Sequence, residues 1–170
     1  MTLDGFVKYM SFPLSNYLQY GVLRLFSKGI ETSYISDGVT IWFPWNVKIG
    51  KRSSLNQGVI IDGYGHVSIG EGVRVASYVN INPADHQYDD PEKMIVDQGF
   101  VVGEVIIGDD VTVGCRTIIN IGVRIGKGSV IGSGAVLTKD IPGYSIAAGV
   151  PCRMIKKELN GSGEKDHTAC

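Results

Sequence analysis

An aliphatic residue recurs at every sixth position over most of this 170-residue chain, and this period constrains the fold more than any other feature. The frame has twelve members, all Ile, Leu or Val: Ile49, Leu55, Ile61, Ile69, Val75, Ile81, Ile107, Val113, Ile119, Ile125, Ile131 and Leu137. A helix would repeat its apolar residues at three and four positions, and a β-meander would show longer strands without a fixed frame. The period therefore predicts a solenoid whose coils contain three short strands, each with one inward aliphatic side chain.

The residue after each aliphatic position is also restricted. Nine of the twelve are Gly or Asn, which tolerate positive φ and tight turns better than other residues. We interpret these positions as the corners between strands. Gly is frequent throughout the chain, at 23 of 170 residues, and its alternation with Ile and Val argues against a flexible linker.

Composition narrows the function classes. A net charge of -1 gives no general attraction to nucleic acid or anionic lipid. No run approaches the ~18 apolar residues of a membrane-spanning helix, and the first residues do not resemble a secretory signal, so we expect a cytoplasmic protein. The three cysteines, Cys115, Cys152 and Cys170, have no paired spacing, which argues against a disulfide framework or a zinc cluster.

The frame skips two residues between Ile61 and Ile69, and it has one long break, after Ile81. The next repeat is due near residue 87 but begins at Ile107, which predicts a loop over 87–104. His86 stands at the root of this loop. A lone His is often a surface residue without a chemical role, but an imidazole titrates near neutral pH and suits a general base when a rigid scaffold holds it.

The repeat, the segment VIIGDDVTVG (105–114) and the run from IGKGSVIG to GVPCRMIKK (125–157) resemble those of the hexapeptide-repeat acyltransferases, including the galactoside and maltose acetyltransferases. The resemblance implies an all-β solenoid, a left-handed parallel β-helix. It also implies direct transfer from acetyl-CoA, in which His86 removes the proton of the acceptor hydroxyl and backbone N–H groups hold the oxyanion. By the same resemblance, Asn56 binds a sugar hydroxyl or the tetrahedral intermediate.

The resemblance implies further contacts. Tyr88 and Asp89 in the loop are candidates for binding the acceptor. For acetyl-CoA, the resemblance implies that the main chain at two corners contacts the pantetheine arm and that two residues further along the chain also contact the donor. It implies that basic side chains near the end of the chain pair with the CoA phosphates. These donor-site residues are Cys115 and Ser133, then Thr138 and Lys139, then Arg153, Lys156 and Lys157. A solvated helix end is the alternative for the basic residues, and no metal is expected.

The flanking segments are predicted to be short. Leu18, Val22, Leu25 and Phe26 share one face of a possible helix that packs against the prism. The predicted organisation is an N-terminal helical or irregular segment over 1–36, the β-helix over 37–150 with its loop at 87–104, a short C-terminal helix over 151–160 and a disordered tail over 161–170.

Several functions fit a solenoid. A carbonic anhydrase of this fold needs three His ligands, but His86 is followed only by His167, and a serine acetyltransferase usually has a larger helical N-terminal domain. A non-catalytic scaffold would need neither the loop after His86 nor the segment that contains VLTKDIP and GVPCR near the end of the chain. We therefore expect a homotrimeric acetyl-CoA-dependent O-acetyltransferase, with sites between subunits, that acts on a sugar or a polysaccharide of the capsule or O-antigen type. An N-acetyltransferase acting on an amino sugar stays open, because the same base would serve.

Overall fold

Three parallel β-sheets form the sides of a prism in the computed structural model, which describes residues 21–157 except 24, 28 and 33. The sheets are called faces A, B and C in the order in which each coil passes through them. Six coils begin on face A, at the paired residues Ile30, Ile49, Ile69, Ile107, Ile125 and Ile141.

The strands are short, as the six-residue period predicts. Face A contains β3 (Val47–Ile49), β6 (His66–Ile69), β11 (Glu104–Ile107) and β14 (Arg124–Ile125). Face B contains β1 (Tyr34–Ile35), β4 (Ser54–Leu55), β7 (Arg74–Val75), β12 (Thr112–Val113), β15 (Val130–Ile131), β17 (Ser145–Ala148) and β18 (Arg153–Lys157). Face C contains β2 (Thr40–Trp42), β5 (Ile60–Asp62), β8 (Asn80–Ile81), β13 (Ile118–Ile119) and β16 (Val136–Leu137).

The core is the stack of inward side chains that the frame predicts. All twelve frame residues are at most 2% exposed. A second buried row lies four residues after a frame position and fills the corners from inside; it includes Ser53, Val73, Val79, Val111, Thr117, Val123, Ser129 and Ala135. Each coil therefore contributes large aliphatic side chains at its strands and smaller ones at its corners.

The corners correct one detail of the sequence interpretation. Positive φ occurs three residues after the frame position, as at Arg52 (φ 59°) and Arg116 (φ 56°), and not at the Gly or Asn that follows it directly. The glycines next to the frame are required for another reason. A Cβ on Gly126 would lie 2.3 Å from the backbone nitrogen of Gly143, because consecutive coils approach closely there.

The break after Ile81 is a β-hairpin rather than an irregular loop. Strand β9 (Ala84–His86) pairs antiparallel with β10 (Phe100–Val102), and a 3-10 turn at Ile95–Asp97 lies in the connection. The parallel frame resumes in β11, where Val105 is already buried. The excursion therefore occupies 82–103, close to the predicted 87–104.

Both flanks differ from the prediction. Residues 21–23 and 25–26 are helical, but Leu23 is the buried side chain while Leu25 and Phe26 are 79% and 60% exposed. Leu18 and the rest of 1–20 lie outside the described residues, as does the predicted tail over 161–170.

The predicted C-terminal helix is a strand over Arg153–Lys157. It pairs antiparallel with β17 and so covers the last edge of face B. An uncovered sheet edge leaves backbone N–H and C=O groups without partners, and the chain satisfies them by folding back. Residues 158–160 lie outside the described part of the chain.

Candidate active site

His86 lies at the end of β9, on the outer side of the prism. It pairs in register with Phe100 of β10, and the two rings are tilted by 36° with centroids 4.5 Å apart. The backbone N–H of His86 donates to Asp85 Oδ1 at 2.8 Å, so this carboxylate supports the strand end. Among the described residues, none makes a hydrogen bond to the imidazole. The ring is therefore exposed, held on one side by Phe100, and open to a substrate.

The connection of the hairpin is ordered by hydrogen bonds around Asp90. Gln98 Oε1 accepts from the Asp90 N–H at 2.9 Å, and Gln98 Nε2 donates back to the Asp90 carbonyl at 2.9 Å. The Lys93 ammonium, 2.8 Å from the carboxylate, and the Glu92 N–H hold the pKa of Asp90 below its usual value. This interaction stabilises the loop fully at pH values above the usual pKa of Asp. The stabilisation is lost as the pH falls through the lowered pKa of Asp90.

The two predicted acceptor contacts of the loop lie beside this network. Tyr88 is 68% exposed, and Asp89 lines a shallow cleft together with Asp90 and Gln98. They stand two and three residues after His86 in the chain, in the connection between β9 and β10.

Asn56 lies on a different corner of the prism. It follows β4, where face B turns into face C, and its N–H donates to the Val75 carbonyl at 3.0 Å. Cys115 follows β12 and Ser133 follows β15, so both stack on this corner two and three coils further along. We call this column corner BC. It contains the predicted pantetheine contacts and Asn56, but not His86.

The remaining predicted residues divide between two places. Thr138 and Lys139 follow β16 at the corner from face C to face A, called corner CA, which is the corner that carries the His86 hairpin. Arg153 and Lys156 lie on β18 at the end of face B, where both are exposed. One chain therefore does not bring all predicted site residues to one corner.

The two described cysteines differ in environment. Cys115 is exposed, whereas Cys152 is 6% exposed and its burial raises the pKa of the thiol. A raised pKa keeps Cys152 protonated at neutral pH, so this thiol is a poor nucleophile.

An aromatic row on corner CA was missed by the sequence interpretation. Ring centroids are 5.7 Å apart for Trp45 and Phe43, 5.6 Å for Phe43 and Tyr64, and 5.2 Å for Tyr64 and Phe100. The contact of Phe100 with His86 continues the row. A signal was present: the frame skips two residues between Ile61 and Ile69, and Ile41 precedes Ile49 by the same interval. The first three coils therefore all expand at corner CA.

The described part of the chain contains neither a cluster of metal ligands nor a membrane-spanning helix. No group of three or more His, Cys, Asp or Glu side chains in this part of the chain is arranged to hold a metal ion. In the same residues, no helix has the length and apolar character to cross a membrane.

The chain is similar to several known acetyltransferases. The family described as "Hexapeptide repeat of succinyl-transferase" matches residues 104–139. Galactoside O-acetyltransferase of Escherichia coli K12 is 34% identical over 140 residues, which cover 82% of this chain and 67% of the relative. The chain belongs to the hexapeptide-repeat acetyltransferases. It spans smaller shares of other curated relatives, down to 37% for a probable acetyltransferase of Mycobacterium tuberculosis.

Solved structures of hexapeptide-repeat acetyltransferases superpose on most of the chain. A maltose O-acetyltransferase from Clostridium difficile 630 has a TM-score of 0.80 and 29% identity, covering 92% of this chain and 82% of the other. A galactoside acetyltransferase in complex with coenzyme A has a TM-score of 0.73 and 28% identity, covering 91% and 76%. The prism is therefore the left-handed parallel β-helix of this family, as the sequence resemblance implied.

Proposed function

We propose that this protein transfers an acetyl group from acetyl-CoA to a hydroxyl of a sugar, with His86 as general base. The observation that carries the proposal is the exposed imidazole at the rigid end of β9, on a chain of the hexapeptide-repeat acetyltransferase family. A base held by paired strands keeps its geometry, whereas a His on an unpaired loop would not. The coenzyme A bound to the related galactoside enzyme supports a CoA thioester as donor.

The reaction requires one proton acceptor and no covalent enzyme intermediate. His86 takes the proton of the sugar hydroxyl as its oxygen attacks the thioester carbonyl carbon, and the carbonyl electron pair moves onto oxygen. When the tetrahedral intermediate collapses, the C–S bond breaks and the sulfur receives the proton from the imidazolium. The products are an acetyl ester and free CoA, and backbone N–H groups stabilise the oxyanion.

We assign acetyl-CoA to corner BC, with the pantetheine arm along the main chain at Cys115 and Ser133. Both corner residues are exposed, so an extended ligand has access to the main chain there. Thr138 and Lys139 lie on corner CA, so one chain does not bring them to this part of the donor site. Arg153 and Lys156 are free to pair with phosphate groups, because neither makes an ion pair with a described residue.

The division of the site between two corners supports a trimer. Corners BC and CA bound face C, so threefold packing with face C toward the axis brings corner BC of one copy to corner CA of the next. Face C carries exposed apolar side chains, Ile60 (39%) and Ile118 (36%), and the buried Oδ1 of Asn80 has no hydrogen-bond partner among the described residues. Each site would then combine His86 of one copy with Asn56 of its neighbour.

A thiol-release assay tests the proposed function. Purified protein is given acetyl-CoA and a panel of free sugars, nucleotide sugars and lipid-linked glycans of the capsule and O-antigen type, and released CoA is measured with a thiol reagent. We expect release that depends on one acceptor class, with an acetyl ester in the product by mass spectrometry. An alkali-stable amide would instead assign N-acetylation. No acceptor-dependent release and no binding of acetyl-CoA by calorimetry would leave the scaffold alternative.

Mixed trimers test the shared site. His86→Ala and Asn56→Ala chains with different tags are co-expressed, and complexes carrying both tags are purified. Each variant alone is expected to be nearly inactive. A mixed trimer restores one intact site in three, so about one third of wild-type activity should return. If both residues of a site came from the same chain, no mixed complex would have an intact site, and recovery would be absent.

A further inference from the structure

The aromatic row of corner CA runs outward from His86 over three coils. Its members are Trp45, Phe43, Tyr64 and Phe100, with exposed fractions of 63%, 39%, 45% and 51%. Large aromatic side chains are rarely left this exposed in a continuous set without a binding role. The row is also in contact with the candidate base, because Phe100 lies against the imidazole.

The row is held rigidly by the backbone beneath it. Asn46 Nδ2 donates to the Gly63 carbonyl at 2.9 Å, and the Gly63 N–H donates to the Trp42 carbonyl at 3.0 Å, so the first two expanded corners are tied together. The His66 N–H donates to the Gly103 carbonyl at 3.1 Å, which ties the second corner to the hairpin. The rings are therefore presented by stacked coils and do not depend on one flexible loop.

The motif DGYGH (62–66) has a physical reason in this arrangement. A Cβ on Gly63 would lie 2.4 Å from the Trp42 carbonyl oxygen, and a Cβ on Gly65 would lie 2.4 Å from the Gly103 carbonyl oxygen. Only glycine fits on either side of Tyr64, since the backbone of this corner is packed between the corners above and below it. The two glycines let the corners stack and leave the Tyr64 ring on the outer surface.

We propose that this row binds an extended glycan acceptor of three or more sugar units and directs one of its hydroxyls to His86. The inference rests on the proposed function and names its substrate class. The C–H groups of a pyranose face carry slight positive charge and an aromatic face is negative, so sugar rings pack well on such surfaces. Successive centroids are 4.5 to 5.7 Å apart with interplanar angles of 36° to 80°, so the row presents both ring faces and ring edges along its length. The Tyr64 hydroxyl and Trp45 N–H, which make no hydrogen bond to a described residue, are available to sugar hydroxyls.

A second copy of the chain is the competing occupant, because the proposed trimer brings corner BC of a neighbouring copy to corner CA. The row lies on a corner and contains polar ring edges, whereas face C offers the flat aliphatic surface with Ile60 and Ile118. The carboxylates of Asp62 and Asp85 accept from the backbone N–H groups of Tyr64 and His86, so both lie beside the row and suit hydroxyl groups better than an apolar partner. We therefore favour the glycan, and the oligomeric state of row variants decides between the two.

Binding and turnover are measured separately, so that failure of this inference differs from failure of the proposed function. Gluco-, galacto- and manno-oligosaccharides of increasing length are titrated into the His86→Ala variant, and binding is measured by calorimetry. This variant lacks the proposed base, so the measurement reports binding without turnover. Tyr64→Ala and Trp45→Ala are compared with Tyr34→Ala, a control whose tyrosine is 54% exposed on face B. KM for each acceptor, light-scattering mass and thermal unfolding are recorded for every variant.

We expect affinity to rise with chain length in at least one series. Tyr64→Ala and Trp45→Ala should weaken binding of the longest chains about tenfold, and raise their KM equally, while leaving the shortest acceptors unchanged. Tyr34→Ala should have no effect. The inference is overturned if affinity does not depend on length in any series, if the control loses as much as the row variants, or if row variants alter the oligomeric mass. Length-dependent binding without acetyl transfer would overturn the proposed function alone.

Discussion

Replacement of His86 by alanine is expected to reduce kcat by a factor of about 10²–10⁴, the usual contribution of a positioned general base. The reason is that the sugar hydroxyl must lose its proton as it attacks, and among the described residues no other imidazole lies in the hairpin. KM for acetyl-CoA should change little, because we assign the donor to corner BC. Steady-state CoA release at saturating acetyl-CoA measures both parameters.

His66 provides the matched control. It is an exposed histidine on β6 of the same prism. Among the described residues, its imidazole makes no aromatic contact with the row or the hairpin. His66→Ala should therefore retain the wild-type kcat. The β9–β10 pairing uses backbone groups, so His86→Ala should also keep the wild-type unfolding transition. Equal losses in the two variants, or wild-type kcat in His86→Ala, would exclude His86 as the base.

Replacement of Ile107 by alanine is expected to lower the free energy of unfolding by about 2–5 kcal/mol. Ile107 is 1% exposed and lies between Ile69 and Ile125 in the inward stack of face A. The rigid coils on either side cannot collapse fully into the space left by the lost methyl and methylene groups. Urea unfolding at one fixed protein concentration measures the effect and avoids the concentration dependence of an oligomer.

Ile106 is the control for this substitution. It is adjacent in β11 and has the same side chain, but it points outward from face A and is only partly buried. Ile106→Ala should cost less than about 1 kcal/mol, since little cavity forms at a surface position. If the two variants lost equal stability, the inward assignment of the six-residue frame would be wrong.

The fold could be predicted from the sequence because its signal is repeated. Twelve aliphatic positions at one period leave few chain paths, and all twelve are buried as the frame requires. His86 could also be located, because an interruption of a regular repeat is visible in one dimension. The chemical role of this residue needed the family resemblance in addition, since a single imidazole has no characteristic spacing.

The C-terminal segment and the corner glycines were misjudged because their reasons are not local. RMIKK is compatible with a helix or a strand, and the open edge of face B selects the strand. The glycines after the frame positions are required by the next coil, which approaches within 2.3 Å of a Cβ on Gly126. Neither the open edge of face B nor the close approach of consecutive coils can be predicted from residues that are neighbours in the sequence.

By itself, the sequence determined the solenoid, its inward residues and the place where a hairpin leaves it, because each depends on a spacing within the chain. Only the tertiary structure decided which of the predicted site residues share a corner. Asn56, Cys115 and Ser133 stack on one column, whereas His86 and the aromatic row lie on another. The physical reason is that residues many positions apart become neighbours when coils stack, and the corner on which they meet depends on the length of every insertion between them.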